Sequence, residues 1–257
     1  MRGIVGGFAI VLLLVPLFVG AQDDNDQNVY VYATYFVCDP ATETRADEII
    51  ARSYAPHYNA AVEQGNLSSW SWLAHFIGGK WRRVLVLTAP NMEELLESSG
   101  ALGEIIGDTT PEAGRVFTEV CNAHVDYIWT TNPAVDGSRL SVAEPGVASF
   151  STYLQCDISS EDRADEIMAK TIGPVYQKYV DSGRLGSWGW LRHSVGEEFR
   201  RLLTLTADDH ATLMAVRDSI VAELRSGRNQ RAFKQFNEIC NVHHDYMWDI
   251  QIGSTQT

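Results

Sequence analysis

The sequence predicts an α+β protein in which two tandem copies of one strand, helix, strand, strand, helix, strand unit press their antiparallel sheets face to face, as a barrel inside a single chain. Three observations predict it. The stretch "SWSWLAHFIGGKWRRVLVLT" at 69–88 returns at 187–206 as "SWGWLRHSVGEEFRRLLTLT", with eleven of twenty positions identical. "CDPATETRADEII" from Cys38 returns as "CDISSEDRADEIM" from Cys156. "EVCNAHVDYIW" from Glu119 returns as "EICNVHHDYMW" from Glu238. A period above roughly one hundred residues is too long for a solenoid and marks a duplicated domain.

The elements follow in order. Residues 1–21 read as a secretory signal peptide: Arg2 precedes an apolar run from Ile4 to Val19, and the small residues Gly20 and Ala21 close it. The run is shorter than the roughly 20 residues a membrane-spanning helix needs, so cleavage before Gln22 is expected, with export to a periplasm or the extracellular space. The first copy covers 22–131 and the second 148–257. Between them 132–147, with "NPAVDGSRLSVAEPG", carries the prolines and glycines of a linker.

Within the first copy, "YVYATYFVC" at 30–38 is aromatic and β-branched and reads as a strand. Asp39 and Pro40 offer a helix start, and apolar positions Ala46, Ile49, Ile50 and Val62 recur at helical spacing as far as Gly65. Pro56, like Pro174 in the second copy, is expected to kink or split that helix. "SWSWLAHFI" and "WRRVLVLT" read as two strands of a hairpin joined across Gly78 and Gly79. Helices from Asn91 to about Ile106 and from Pro111 to about Cys121 come next, and "HVDYIWT" alternates as a last strand.

That order is the ferredoxin-like arrangement, in which the last strand lies antiparallel beside the first and helices cover one face. With two such sheets in one chain, the layout resembles the dimeric α/β-barrel superfamily, which includes antibiotic-biosynthesis monooxygenases. The topology places Cys38 and Cys121 at one end of the sheet, so disulfides are expected between Cys38 and Cys121 and between Cys156 and Cys240.

Alternation along each strand sorts its side chains into two faces. Leu85 and Leu87, with Leu203 and Leu205, are expected under the helices, leaving Arg82, Arg200, Val84 and Val86 toward the enclosed space. Tyr32, Thr34 and Phe36, with Phe150, Thr152 and Leu154, read as core, and Tyr35 and Tyr153 as inward. On the second strand the leucine face, with His75 and His193, reads as core, which turns Trp70, Trp72, Trp188 and Trp190 inward. On the last strand His124 and Asp126, repeated as His243 and Asp245, are expected inward, opposite the set of Tyr127, Trp129, Tyr246 and Trp248.

Three functions compete on these residues. In the first, an exported protein holds a small molecule between the two sheets, stacked on Trp70, Trp72, Trp188 and Trp190 and paired to Arg82 or Arg200. In the second, which the resemblance implies, the chain is an enzyme like cofactor-independent monooxygenases or isomerases. His124 or His243, oriented by Asp126 or Asp245, is then the base and Tyr35 or Tyr153 the proton donor. The third is a purely structural module, with tryptophans as sheet packing and the arginines paired to nearby acids. No phosphate loop, nucleophile elbow or zinc motif occurs, and neither cofactor nor metal is expected. The net charge of −13 disfavours nucleic acid and anionic membrane surfaces as partners. The expected assembly is a pseudo-dimeric monomer or a further homo-oligomer of it.

Overall fold

The computed structural model describes residues 28–132, 134–135 and 146–256; the expected signal peptide and most of the linker lie outside the described residues. Eight strands form one closed barrel. They are β1 (Tyr30–Cys38), β2 (Ser69–Ile77), β3 (Arg83–Ala89), β4 (Cys121–Thr131), β5 (Ala148–Gln155), β6 (Ser187–Val195), β7 (Arg201–Ala207) and β8 (Val242–Thr255). Around the barrel the order is β1-β3-β2-β8-β5-β7-β6-β4, so β4-β1-β3-β2 and β8-β5-β7-β6 form the two halves. The sheets do not merely face each other, as the sequence predicts. Their edges are hydrogen-bonded, β2 to β8 along most of their length and β4 to β6 at Ile128–Thr131, which closes the barrel.

All neighbouring strands are antiparallel, so β1, β2, β5 and β6 run one way and both hairpins emerge at one rim, called here the upper rim. Glycine is required there. Gly78 and Gly196 have φ of +154° and +143°, and a Cβ on either would lie 2.3 Å from a ring carbon of Tyr246 or Tyr127 respectively. Each tyrosine comes from the opposite half, so the hairpin glycines admit side chains that lock the halves together.

Helices cover the outside. In the first half α1 (Thr44–Ile49) runs through a π-helical turn (Ile50–Tyr54) into α2 (Ala55–Glu63), followed by α3 (Met92–Thr109) and α4 (Pro111–Val120). The second half repeats this as α5 (Glu161–Ile167), a π-helical turn (Met168–Ile172), α6 (Gly173–Asp181), α7 (His210–Leu224) and α8 (Gln230–Ile239). Pro56 and Pro174 sit in the first turn of α2 and α6, just past the widened turns, so the expected split is present. The first helix begins at Thr44 rather than at Asp39, because the Asp39 carboxylate accepts a hydrogen bond from the Ala41 N–H and holds a turn. α3 and α7 are capped by Asn91 and Asp209, whose side chains accept from the N–H groups of Glu94 and Thr212. No helix among the described residues is long and apolar enough to cross a membrane.

Three apolar cores result: one under the helices of each half and one inside the barrel. Disulfides join Cys38 to Cys121 and Cys156 to Cys240, at the upper ends of the β1–β4 and β5–β8 pairs. The bridged cysteines are 83 and 84 residues apart, so each bond removes much chain entropy from the unfolded state. Replacing Cys38 and Cys121 together by serine is expected to lower unfolding free energy by about 2–5 kcal/mol, read from urea titration of oxidised protein.

Candidate functional site

Tyr35 and Tyr153 point into the barrel, as their strand faces imply. Their rings meet edge to face at 5.4 Å. Above them Trp81 stacks on Tyr35 at 4.4 Å and on Tyr246 at 5.0 Å, and Phe199 takes the equivalent place beside Tyr153 and Tyr127. These rings close the upper part of the interior. Burial pushes the Tyr35 and Tyr153 hydroxyls far above their ordinary pKa, so neither ionises at neutral pH.

The four tryptophans point the other way. Trp70, Trp72, Trp188 and Trp190 lie on the outer face beneath the helices, contrary to the inward placement expected from the sequence. The indole N–H groups explain the choice: Trp70 donates to Asn59, Trp72 to Asp47, Trp188 to Gln177 and Trp190 to Asp165, all at 2.8–2.9 Å. A large ring with one polar atom is stable where a helix supplies the acceptor. Leu73 and Leu191 therefore face inward.

Arg82 and Arg200 serve structure. Arg82 donates to both carboxylate oxygens of Glu43 at 2.7 Å and to His75 Nδ1 at 2.8 Å; Arg200, Glu161 and His193 repeat this. Beside them Arg83 and Arg201, each 3 % exposed, form two-pronged pairs with Asp47 and Asp165. The repeated "RADEI" segments, readable as a solvated helical turn, thus carry the carboxylates that anchor helix to sheet. His75 and His193, read as facing the helices, instead lie at the seams against the inner rings: His75 near Tyr246 and Trp248, His193 near Tyr127 and Trp129.

His124, Asp126, His243 and Asp245 occupy the outer face, because Tyr127, Trp129, Tyr246 and Trp248 take the inner one. The sheet separates them from Tyr35 and Tyr153, so the His, Asp and Tyr set does not assemble around one point. His124 Nε2 lies 3.4 Å from Asp126 Oδ2, and its side chain is 54 % exposed. His243 Nε2 lies 3.5 Å from Asp245 Oδ2 at the mouth of a cleft that sequence reasoning did not find.

That cleft, of about 360 Å³, opens between the outer face of the second half-sheet and its helices. Asp245 organises its edge. It accepts from Thr152 Oγ1 at 2.8 Å and from Arg217 at 3.3 Å, and the Arg217 guanidinium lies 4.8 Å from the centre of the Phe150 ring. Leu154, Leu203 and Phe236 give an apolar floor, while Arg225, Asn241 and His243 line the mouth. Burial raises the Tyr176 hydroxyl in the wall to about 12, keeping it a neutral donor. No group of three or more His, Cys, Asp or Glu suited to a metal ion occurs among the described residues.

Many solved structures share this architecture. A candidate monooxygenase from Fusobacterium nucleatum matches with a TM-score of 0.56 at 7 % identity, covering 90 % of this chain and 95 % of its own. An anthrone oxidase-like protein gives 0.54 at 13 %, covering 90 % and 94 %. A candidate chlorite dismutase gives 0.51 at 9 %, covering 88 % and 96 %. The fold is that of the dimeric α/β barrels. At such identities the likeness is one of fold alone. No protein-family model matches the chain, and no curated protein sequence matches it.

Within this dimeric α/β barrel the two outer faces differ. Arg217 stands eight residues past the cap Asp209, and the same step from Asn91 reaches Ser99, so the first half has a serine where the second has the arginine beside Asp245.

The seam histidines make stability depend on pH. Burial and then the neighbouring Arg82 or Arg200 charge hold His75 and His193 below their ordinary pKa. As pH falls the unfolded chain takes up these protons first, so stability is full above about pH 6.5 and declines below it. A His75→Gln, His193→Gln double variant is expected to flatten unfolding free energy against pH between about 7.5 and 5.5, measured by denaturant titration. An unchanged slope would contradict it.

Proposed function

We propose that this chain is an exported small-molecule-binding protein built from two ferredoxin-like copies of one unit, and that its principal site is the outer cleft of the second half. The supporting observation is the pairing of an apolar floor with an unneutralised cation. Arg225 is exposed at the mouth and, among the described residues, has no ion-pair partner, on a protein whose net charge is −13. A cleft of about 360 Å³ suits a compact amphipathic molecule with its hydrocarbon or aromatic body against Leu154, Leu203 and Phe236 and a carboxylate toward Arg225 and Asn241. Export is supported by the two disulfides and by the apolar leader in the sequence.

A second reading is catalytic. His243 borders the cleft with Asp245 beside it, as a general base requires, and neighbours of the fold include a candidate monooxygenase and an anthrone oxidase-like protein. In that reading His243 takes a proton from the bound molecule, and Arg217 and Arg225 balance the charge left on it.

Titration with 2-naphthoate, followed by calorimetry, tests the binding reading. Saturable binding is expected, weakened about tenfold or more by Arg225→Ala, since a hydrogen bond to a charged group contributes about 1.5–3 kcal/mol. Ser99→Ala is expected to bind as the parent does. No saturable binding, or equal binding by Arg225→Ala, would overturn the assignment.

A further inference from the structure

The barrel interior holds a second, smaller space below the aromatic plug. It amounts to about 90 Å³, counted as room for the centre of a water molecule, which is several times what one water needs. Val31, Ala33, Val84 and Val86 make one wall mostly apolar, with Ser71 and Thr88 at its edge; the facing wall carries the hydroxyls of Ser149, Ser151 and Thr204 beside Leu202. No charged side chain lines it.

Trp248 also lines this space and is 0 % exposed, and its indole Nε1 has no hydrogen-bond partner among the described residues. Its counterpart Trp129 is satisfied, donating to the Tyr35 hydroxyl at 3.3 Å. The symmetric acceptor for Trp248 would be the Tyr153 hydroxyl, but that hydroxyl does not take the Trp248 N–H, so only one of the two inner indoles is satisfied by a tyrosine. A donor buried without an acceptor is costly, and the neighbouring wall supplies room rather than a partner.

We infer that the lower barrel interior is a binding site for a small neutral molecule bearing a hydrogen-bond acceptor, a ketone or aldehyde of single-ring size, whose oxygen takes the Trp248 N–H. The charge-free lining excludes anions and cations, which would have to shed their water without a counter-charge. The apolar wall receives the hydrocarbon part and the serine and threonine wall the polar edge. This site is on the opposite face of the sheet from the outer cleft and takes the opposite class of ligand.

Cyclohexanone is the probe and methylenecyclohexane, which has the shape without the acceptor, the control. The readout is the indole N–H resonance of Trp248 in the full chain labelled with ¹⁵N-tryptophan, assigned by its absence in Trp248→Phe. A saturable shift with cyclohexanone in the millimolar range is expected. Trp248→Phe should weaken cyclohexanone about tenfold, by intrinsic fluorescence or calorimetry, and leave methylenecyclohexane unchanged. Ser151→Leu, which fills the space, should abolish both, and Arg225→Ala should affect neither, which separates this site from the cleft. No saturable shift in the parent, or cyclohexanone binding that survives Ser151→Leu, would overturn the inference; if Trp248→Phe does not fold, the Ser151→Leu result decides.

Discussion

A four-stranded half-sheet ending in β2 on one side and β4 on the other leaves two rows of backbone N–H and C=O groups that must find partners, and here they find each other. The β2–β8 and β4–β6 ladders join the halves by main-chain hydrogen bonds as well as by side chains. Closure then divides the molecule into an inside and two outsides. An eight-stranded barrel has an interior only just wide enough for side chains to fill. Trp81, Phe199 and the four inner tyrosines fill its upper part, and short side chains leave the lower part hollow. The hairpin glycines belong to the same constraint, since Tyr127 and Tyr246 can reach the seams only where the opposite hairpin carries no Cβ.

Much of this was legible in the sequence because it rests on local signals. The strand at Tyr30–Cys38, the hairpin across Gly78 and the cysteine pairing follow from alternation, turn chemistry and element order. The faces of β1 and β3 were legible too, with Leu87 and Leu205 under the helices and Val86 and Thr204 inside, although Arg82 and Arg200, expected toward the enclosed space, pair instead with Glu43 and Glu161. The second strand defeated the same reasoning. Alternation defines two sets but not which is inside, and both of its sets are largely apolar. The missing signal was polar: each outward indole needs an acceptor, and Asp47 and Asp165 stand at identical distances before Trp72 and Trp190. Read as solvated acids, they concealed the contact that orients the strand. The error on the last strand has the same form: His124 and Asp126 drew attention, whereas the barrel needed the rings of Tyr127 and Trp129.

The outer cleft was illegible for a different reason. Thr152, Tyr176, Arg217, Arg225 and His243 come from β5, α6, α7, the turn that caps α7, and β8, with no spacing that links them. Only the packing of α6 and α7 over the second half-sheet brings them together.

The two halves divide along a physical line. Positions that make the frame are the same in both: Arg82 and Arg200, Arg83 and Arg201, Asp47 and Asp165, His75 and His193, and the four cysteines. Each is committed to a buried charge pair, a seam or a bridge, where a change would strand a partner. Several positions that line open space differ: Val31 against Ser149, Ala33 against Ser151 and Val86 against Thr204 in the barrel, and Arg217 in the cleft where the first half has Ser99. A single-chain barrel permits this, because each half can vary its cavity wall without altering the other, which two identical subunits could not do. The cleft beside Asp245 and the unpaired Trp248 are both products of that asymmetry.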